Sequence, residues 1–238
     1  MASDVLRPRP NHSPKVKPMM RRAVIVEGIV QGVGFRPFVH RLAGRYRLGG
    51  FVGNRAGSVC IEVEGEAAAV ECFLRDLTAE APTTATIVRL EWTNQPPRGE
   101  DDFHIQPSEA LIGEALIGEA SAGSAIFPPA DVATCADCLR ELFDPADRRH
   151  RYPFINCVAC GPRFTVIGET PYDRSRTTMA AFPLCDACRS EYENPTDRRF
   201  HAQAIACAAC GPRLSALDAA GNKLDPSDVV AWAAKRLA

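Results

Sequence analysis

Ala23-Val24-Ile25-Val26-Glu27-Gly28-Ile29-Val30-Gln31-Gly32-Val33-Gly34-Phe35-Arg36 joins a short apolar run, a glycine-rich turn and the start of a helix. The run at residues 23–26 suits a strand buried on both faces. Past the turn, Phe35, Phe38, Val39, Leu42 and Tyr46 fall at i, i+3, i+4, i+7 and i+11, one face of a helix that tolerates Pro37 in its first turn. Working outward, residues 49–54 and 59–64 read as two strands of a hairpin across a tight Arg55-Ala56-Gly57 connection. Val70, Phe73, Leu74 and Leu77 mark a second helical face, residues 86–92 a fourth strand, and Phe103-His104-Ile105 a last edge piece. The order β-α-β-β-α-β over residues 21–105 predicts one small α+β domain.

A glycine-rich turn from a strand into a helix N-terminus is an anion site on physical grounds, because successive N–H groups point into the turn and the helix dipole favours negative charge. An arginine at the helix start completes such a cradle, and Arg36 stands there. A solvated first-turn arginine is the bland alternative. For Asn54 that alternative is a turn residue capping the hairpin connection.

A second block is defined by cysteine. Eight of ten cysteines form two copies of C-x2-C-x18-C-x2-C: Cys135, Cys138, Cys157, Cys160, then Cys185, Cys188, Cys207, Cys210 at an offset of fifty. Asp144-Pro145-Ala146-Asp147-Arg148-Arg149 recurs as Asn194-Pro195-Thr196-Asp197-Arg198-Arg199, and Gly161-Pro162-Arg163 as Gly211-Pro212-Arg213, so the block is an internal duplication. Four thiolates at this spacing make a closed tetrahedral zinc site of structural type. Disulfides would require an exported protein, and no export signal is present. Each repeat carries a complete ligand set, which favours two zinc ions held sequentially over crossed pairing. Gly161 and Gly211 are expected at positive φ where each turn closes, and the arginine pairs 148–149 and 198–199 near the doubly negative centres. Tyr152, Phe154 and Ile155 read as a small core under the first site. Cys60 and Cys72 read as ordinary thiols, and His150 and His201 as poor ligands.

The chain has 238 residues, 46% hydrophobic and 24% charged, with formal net charge -1. Residues 131–215 balance eleven Arg against eleven Asp or Glu, which argues against a nucleic-acid face. Residues 1–20 are proline-rich without an apolar core, so they read as a disordered leader rather than a signal or membrane span, and the protein as cytoplasmic. Residues 106–130, low in aromatics, read as a linker. Zinc fingers are expected at 131–165 and 185–215 around a connector at 166–184. The tail 216–238 holds one helix marked by Val229, Val230, Ala233 and Leu237.

Ile29-Val30-Gln31-Gly32-Val33-Gly34-Phe35-Arg36 resembles the acylphosphatase signature, and Gly50-Phe51-Val52-Gly53-Asn54 that family's second motif. The resemblance implies a ferredoxin-like βαββαβ fold in which the loop Gln31, Gly32, Val33, Gly34, Phe35 and Arg36 holds the phosphoryl group of an acyl phosphate, while Asn54 positions the attacking water. With the cysteine repeats, Asp147-Arg148-Arg149-His150-Arg151-Tyr152-Pro153-Phe154-Ile155-Asn156-Cys157 and Pro171-Tyr172-Asp173-Arg174-Ser175-Arg176-Thr177-Thr178-Met179 resemble the N-terminal third of the HypF family, carbamoyltransferases of nickel-iron hydrogenase maturation. That resemblance implies carbamoyl phosphate as substrate, later domains for ATP-dependent adenylation and transfer, and HypE as the acceptor. Only residues 215–238 follow the match, so the later domains are expected to be absent and the chemistry to stop at acyl phosphate hydrolysis. The competing expectation is a zinc-binding interaction module on a non-catalytic scaffold, against which stands the intact pair Arg36 and Asn54.

Overall fold

Strand β1 (Met19–Ile29) runs through the glycine turn into helix α1 (Phe35–Tyr46), followed by β2 (Gly49–Arg55), β3 (Ser58–Glu66), α2 (Ala67–Ala79), β4 (Thr86–Gln95) and β5 (Phe103–Ile105). The computed structural model describes residues 18–55, 57–107 and 129–237. The five strands form one sheet in the order β4-β1-β3-β2-β5; β5 lies parallel to β2 at the edge and the other pairs are antiparallel. The α+β reading therefore holds, with the apolar positions of both helices as expected. Phe35, Phe38, Val39 and Leu42 of α1 and Val70, Phe73, Leu74 and Leu77 of α2 pack on Val24, Val26, Val52, Val59, Ile61 and Val63 of the sheet.

The opposite face of the sheet is covered by charge rather than by a second apolar layer. Arg21, itself 1% exposed, is ion-paired to Glu62, to Glu64 at 2.8 Å and to Glu100 at 3.2 Å. The N–H groups of Arg98 and Gly99 donate to Glu64, both at 2.7 Å. A buried arginine keeps its charge only with such partners, and removing one would strand the other. Cys60 packs on this face against Phe51, away from Ile61 and Val63, as its strand position requires.

β1 begins at Met19, where Met19 and Met20 pair with Glu66 and Gly65, so the ordered domain starts inside the expected leader 1–20. Residues 1–17 of that leader, and residues 108–128 of the expected linker, lie outside the described residues. No helix among the described residues is long and apolar enough to cross a membrane.

The cysteine block carries two eight-residue helices, α3 (Ala136–Phe143) and α4 (Asp186–Glu193), each entered from a cysteine, Cys135 or Cys185. A small hairpin, β6 (Ala216–Leu217) with β7 (Lys223–Leu224), and helix α5 (Val229–Leu237) end the chain. The two repeats share their cores. Cys138, Cys157, Cys160, Tyr152 and Ile155 pack with Met179, Ala204 and Ala206, and Val158 packs into the second cluster around Cys188 and Ile205. Phe154 departs from the expected core. It is 38% exposed and lies edge-on to Tyr152.

Candidate functional site

Gln31 and Arg36 are each 8% exposed and Asn54 is 0% exposed, all at the end of the sheet where β1 feeds α1. Gly34 caps α1 at φ 75, and the Phe38 N–H donates to its carbonyl at 3.0 Å. The Gln31 amide donates to the Ser58 carbonyl at 3.1 Å, and Ser58 pairs with Arg55 in the hairpin. This stitches the glycine turn to the hairpin beside Asn54. Neither side-chain amide atom of Asn54 has a hydrogen-bond partner among the described residues.

The cysteine block lies directly on the turn, which nothing in the pattern of the sequence announced. Arg163 Nε donates to the Gly32 carbonyl at 2.7 Å and Tyr172 N to Gln31 Oε1 at 3.3 Å. A side chain at Gly32 would run into Pro129, Arg163 and Tyr172, so glycine permits this approach as well as the turn. Arg36 points both terminal nitrogens at the block: Nη1 is 2.6 Å from Asp173 Oδ1, and Nη2 donates to the Tyr172 carbonyl at 3.2 Å. His201 lines the same pocket. Burial, then the charge of Arg36, hold its imidazole down at about 4, so it is neutral near pH 7. Duplication gave no hint of this asymmetry, since Arg163 is buried whereas its repeat mate Arg213 is exposed.

The eight cysteines gather into two sets, Cys135, Cys138, Cys157, Cys160 and Cys185, Cys188, Cys207, Cys210, the sequential grouping. Sulfur separations are 3.8, 3.8 and 3.5 Å in the first set and 3.8, 3.8 and 3.6 Å in the second. A tetrahedron of sulfurs about 2.3 Å from a central ion has edges of about 3.8 Å, whereas a disulfide would bring two sulfurs to about 2 Å. The donor set and spacing therefore fit zinc. His150 and His201 belong to neither set. Gly161 takes the expected positive φ of 96, but Gly211 is not among the positive-φ glycines. There a Cβ would strike Tyr152 Oη and Ala206 instead, so the second glycine answers a demand for space.

The arginine pairs offset the thiolates as expected, but reciprocally. Arg148 and Arg149 donate to Cys188 of the second set at 3.1 and 3.5 Å, and Arg198 to Cys138 and Cys135 of the first at 2.6 and 3.4 Å. Arg149 also bonds Glu191 at 2.5 Å and the Ala206 carbonyl at 2.9 Å; its mate Arg199 bonds Glu141 and the Asn156 carbonyl. Burial alone would raise the Glu191 carboxyl, yet Arg149 and then Arg148 hold it down to about 2. Its contribution to stability is thus present above the ordinary carboxylate range and is lost as pH falls from about 4 towards 2. Arg149→Ala is expected to cost about 3 kcal/mol in a denaturant titration and to weaken that acid-side dependence, because it removes the buried partner and leaves the half-buried carboxylate to Arg148 alone. A loss below about 0.5 kcal/mol, the scale of an exposed pair, would show that the exchange carries no stability.

Comparison with known proteins follows these two regions. The acylphosphatase family model matches residues 22–105, and the HypF finger model matches residues 134–167 and 184–217. A carbamoyltransferase HypF of Synechocystis sp. is 44% identical over 160 residues, covering 67% of this chain and 19% of that protein. An acylphosphatase of Moorella thermoacetica is 43% identical over 91 residues, covering 38% of this chain and 97% of that protein. The crystal structure of T. kodakarensis HypF superposes with a TM-score of 0.76 at 44% identity, over 92% of this chain and 26% of that one. Full-length HypF in its phosphate- and nucleotide-bound form gives 0.74 at 43% identity, over 84% and 25%. The chain spans about a fifth of the length of the curated carbamoyltransferases it matches.

Proposed function

The chain belongs to the acylphosphatase family through residues 22–105 and carries HypF fingers in the arrangement of the N-terminal region of HypF proteins, and from that premise we propose that it hydrolyses an acyl phosphate, carbamoyl phosphate being the substrate. The observation that carries this reading is Asn54, fully buried beside the glycine turn with both amide atoms unpartnered. Such a group costs stability unless something else uses its hydrogen bonds. In this reading the Asn54 amide orients a water. Arg36 and the N–H groups of residues 31–36 hold the phosphoryl oxygens where charge accumulates. The water oxygen bonds to phosphorus as the bridging P–O bond breaks, its protons pass to solvent and the new phosphate, and carbamate leaves with the bond's electron pair. Carbamate is a weak enough base to depart without a general acid.

The two cysteine sets hold zinc structurally, since four thiolates leave no coordination position for a substrate. We place the hydrolysis first in HypF-type carbamoyl transfer, ahead of adenylation and delivery to HypE by further domains. One observation favours a second reading, a sealed scaffold: Asp173 and Tyr172 occupy both terminal nitrogens of Arg36. Phosphate release from acetyl phosphate and carbamoyl phosphate by the full chain, without nucleotide, separates the two. Saturable release supports the hydrolase, and none from a folded, zinc-loaded chain leaves the scaffold.

A further inference from the structure

Three successive carbonyls of the glycine turn are tied to donors outside the loop. The Gly32 carbonyl accepts from Arg163 Nε at 2.7 Å, that of Val33 from the Thr84 hydroxyl at 3.3 Å and that of Gly34 from the Phe38 N–H at 3.0 Å. In a trans peptide the N–H points opposite to the C=O, so these bonds also fix which way the N–H groups of Val33, Gly34 and Phe35 face. None of those three N–H groups donates to a backbone carbonyl among the described residues. With Gly32 and Gly34 at φ 68 and 75, they form a concave run of free donors of the kind that holds an anion.

Thr84 and Phe38 belong to the same domain as the turn, whereas Arg163 comes from the cysteine block. Arg163 is 4% exposed, and its guanidinium donates only to carbonyls: those of Gly32 and Val158 at 2.7 Å, Cys160 at 2.5 Å and Pro162 at 3.3 Å. The Asp131 carboxylate nearby accepts its backbone N–H instead. The other buried arginines, Arg21, Arg22, Arg36, Arg149 and Arg199, each pair with a carboxylate; among the described residues Arg163 pairs with none. A buried charge without a counter-ion is costly unless a bound anion supplies one. This charge lines the pocket over the turn together with Gly32, Gly34 and Arg36.

We propose that Arg163 is a positioning residue of the phosphoryl site. By holding the Gly32 carbonyl it keeps the Val33 N–H turned to the phosphoryl oxygens, and its charge polarises that peptide and strengthens the N–H as a donor. This rests on the glycine turn being the phosphoryl site of the hydrolase reading above. It gives the first cysteine set a part in that site, because the same guanidinium is fastened to the Cys160 carbonyl. The Moorella thermoacetica acylphosphatase is matched over 97% of its own length by 91 residues of this chain, too short a span to reach from the turn to residue 163. Fixing the loop in this way is therefore an addition made by the cysteine block.

The block stays seated on the turn without this side chain. Tyr172 N bonds Gln31 Oε1 at 3.3 Å, and the Arg174 guanidinium is anchored to the carbonyls of Gln203, Ile205 and Phe182 at 2.7, 2.9 and 2.7 Å. The test compares the full, zinc-loaded chain with Arg163→Ala, Arg163→Lys and, as control, Arg213→Ala, the exposed repeat mate. It reads kcat/KM for acetyl phosphate and the dissociation constant of inorganic phosphate. Arg163→Ala is expected to weaken phosphate binding and lower kcat/KM by about 10-fold or more each, the worth of one hydrogen bond to a charged group, and millimolar guanidinium ion should restore part of both. Arg163→Lys keeps the charge but not the fork and should fall between, while Arg213→Ala should match the wild type. A folded, zinc-loaded Arg163→Ala chain that binds phosphate as the wild type does would overturn the proposal. So would a loss that guanidinium does not lessen, or an equal loss in Arg213→Ala. Should Arg163→Ala fail to fold, phosphate titrated into the wild type decides: the Val33 amide and Arg163 Nε proton resonances should shift together, and a Val33 signal that does not respond overturns the proposal. Phosphate binding that depends on Arg163 in a chain that hydrolyses nothing would sink the hydrolase reading and leave the positioning role standing.

Discussion

Arg36→Ala is expected to lower kcat/KM for acyl phosphates by about 10³-fold with zinc content close to wild type and a lowered melting temperature, since the buried contacts to Asp173 and the Tyr172 carbonyl go with it. Removing one preorganised donor from a site that stabilises developing charge costs about 10² to 10³, and Arg36 supplies two donors and a full charge. Arg36 is 8% exposed, so no water can replace its guanidinium at equal strength. Arg36→Lys keeps the charge but not the two-point grip, and should recover only part of the loss. Asn54→Ala should behave differently, lowering kcat with little change in KM, because a group that orients water adds nothing to ground-state phosphate binding. Phosphate release by the three variants decides the matter. Wild-type kinetics in Arg36→Ala would mean that the glycine turn is a turn and no more.

Metal removal should have the larger structural effect. Analysis is expected to find about two zinc ions per chain, and chelation to unfold residues 131–215 while β1 to β5 persist. Helices α3 and α4 have eight residues each, below the length at which an isolated helix holds in water, and the cores beneath them are small. Structural zinc contributes on the order of 10 kcal/mol of apparent binding energy, more than such cores supply. Cys135→Ala should reduce the metal from two equivalents to about one by losing the first set. The arginine exchange adds a consequence: Arg198 then loses its sulfur partners, so the second repeat should melt earlier than in the wild type. Retention of native helical signal in a reduced, metal-free chain would overturn the structural role. Because Tyr172 and Asp173 bond Gln31 and Arg36 at the glycine turn, chelation should also change the rate of acyl phosphate hydrolysis, a link that circular dichroism and the phosphate assay can follow together.

Much of this architecture is local and was legible in the chain. Strand and helix faces follow from periodicities of two and 3.6, so Val59, Ile61 and Val63 could be separated from Cys60, and Phe73 from Cys72, without coordinates. The C-x2-C turns and their repeat gave the grouping of ligands because each set closes within about thirty residues of chain. Arg36 could be singled out because a glycine turn opening a helix already implies an anion.

Relations between distant segments were decided by the tertiary structure. Residues 148 and 198 each reach the other repeat, because the two halves of the duplication pack about a shared core and the turn that follows each helix faces its neighbour's thiolates. Arg21 has no visible reason to be buried until Glu62, Glu64 and Glu100 close around it. Residues 172 and 173 come to rest on a turn about 140 residues earlier, an approach set by Gly32, Arg163 and the anchoring of Arg174 rather than by any pattern near them. Sequence alone determined the two modules and their ligand chemistry, since each depends on neighbours in the chain. The roof over Arg36 was decided only by the fold, since contacts between surfaces distant in the chain leave no periodicity behind.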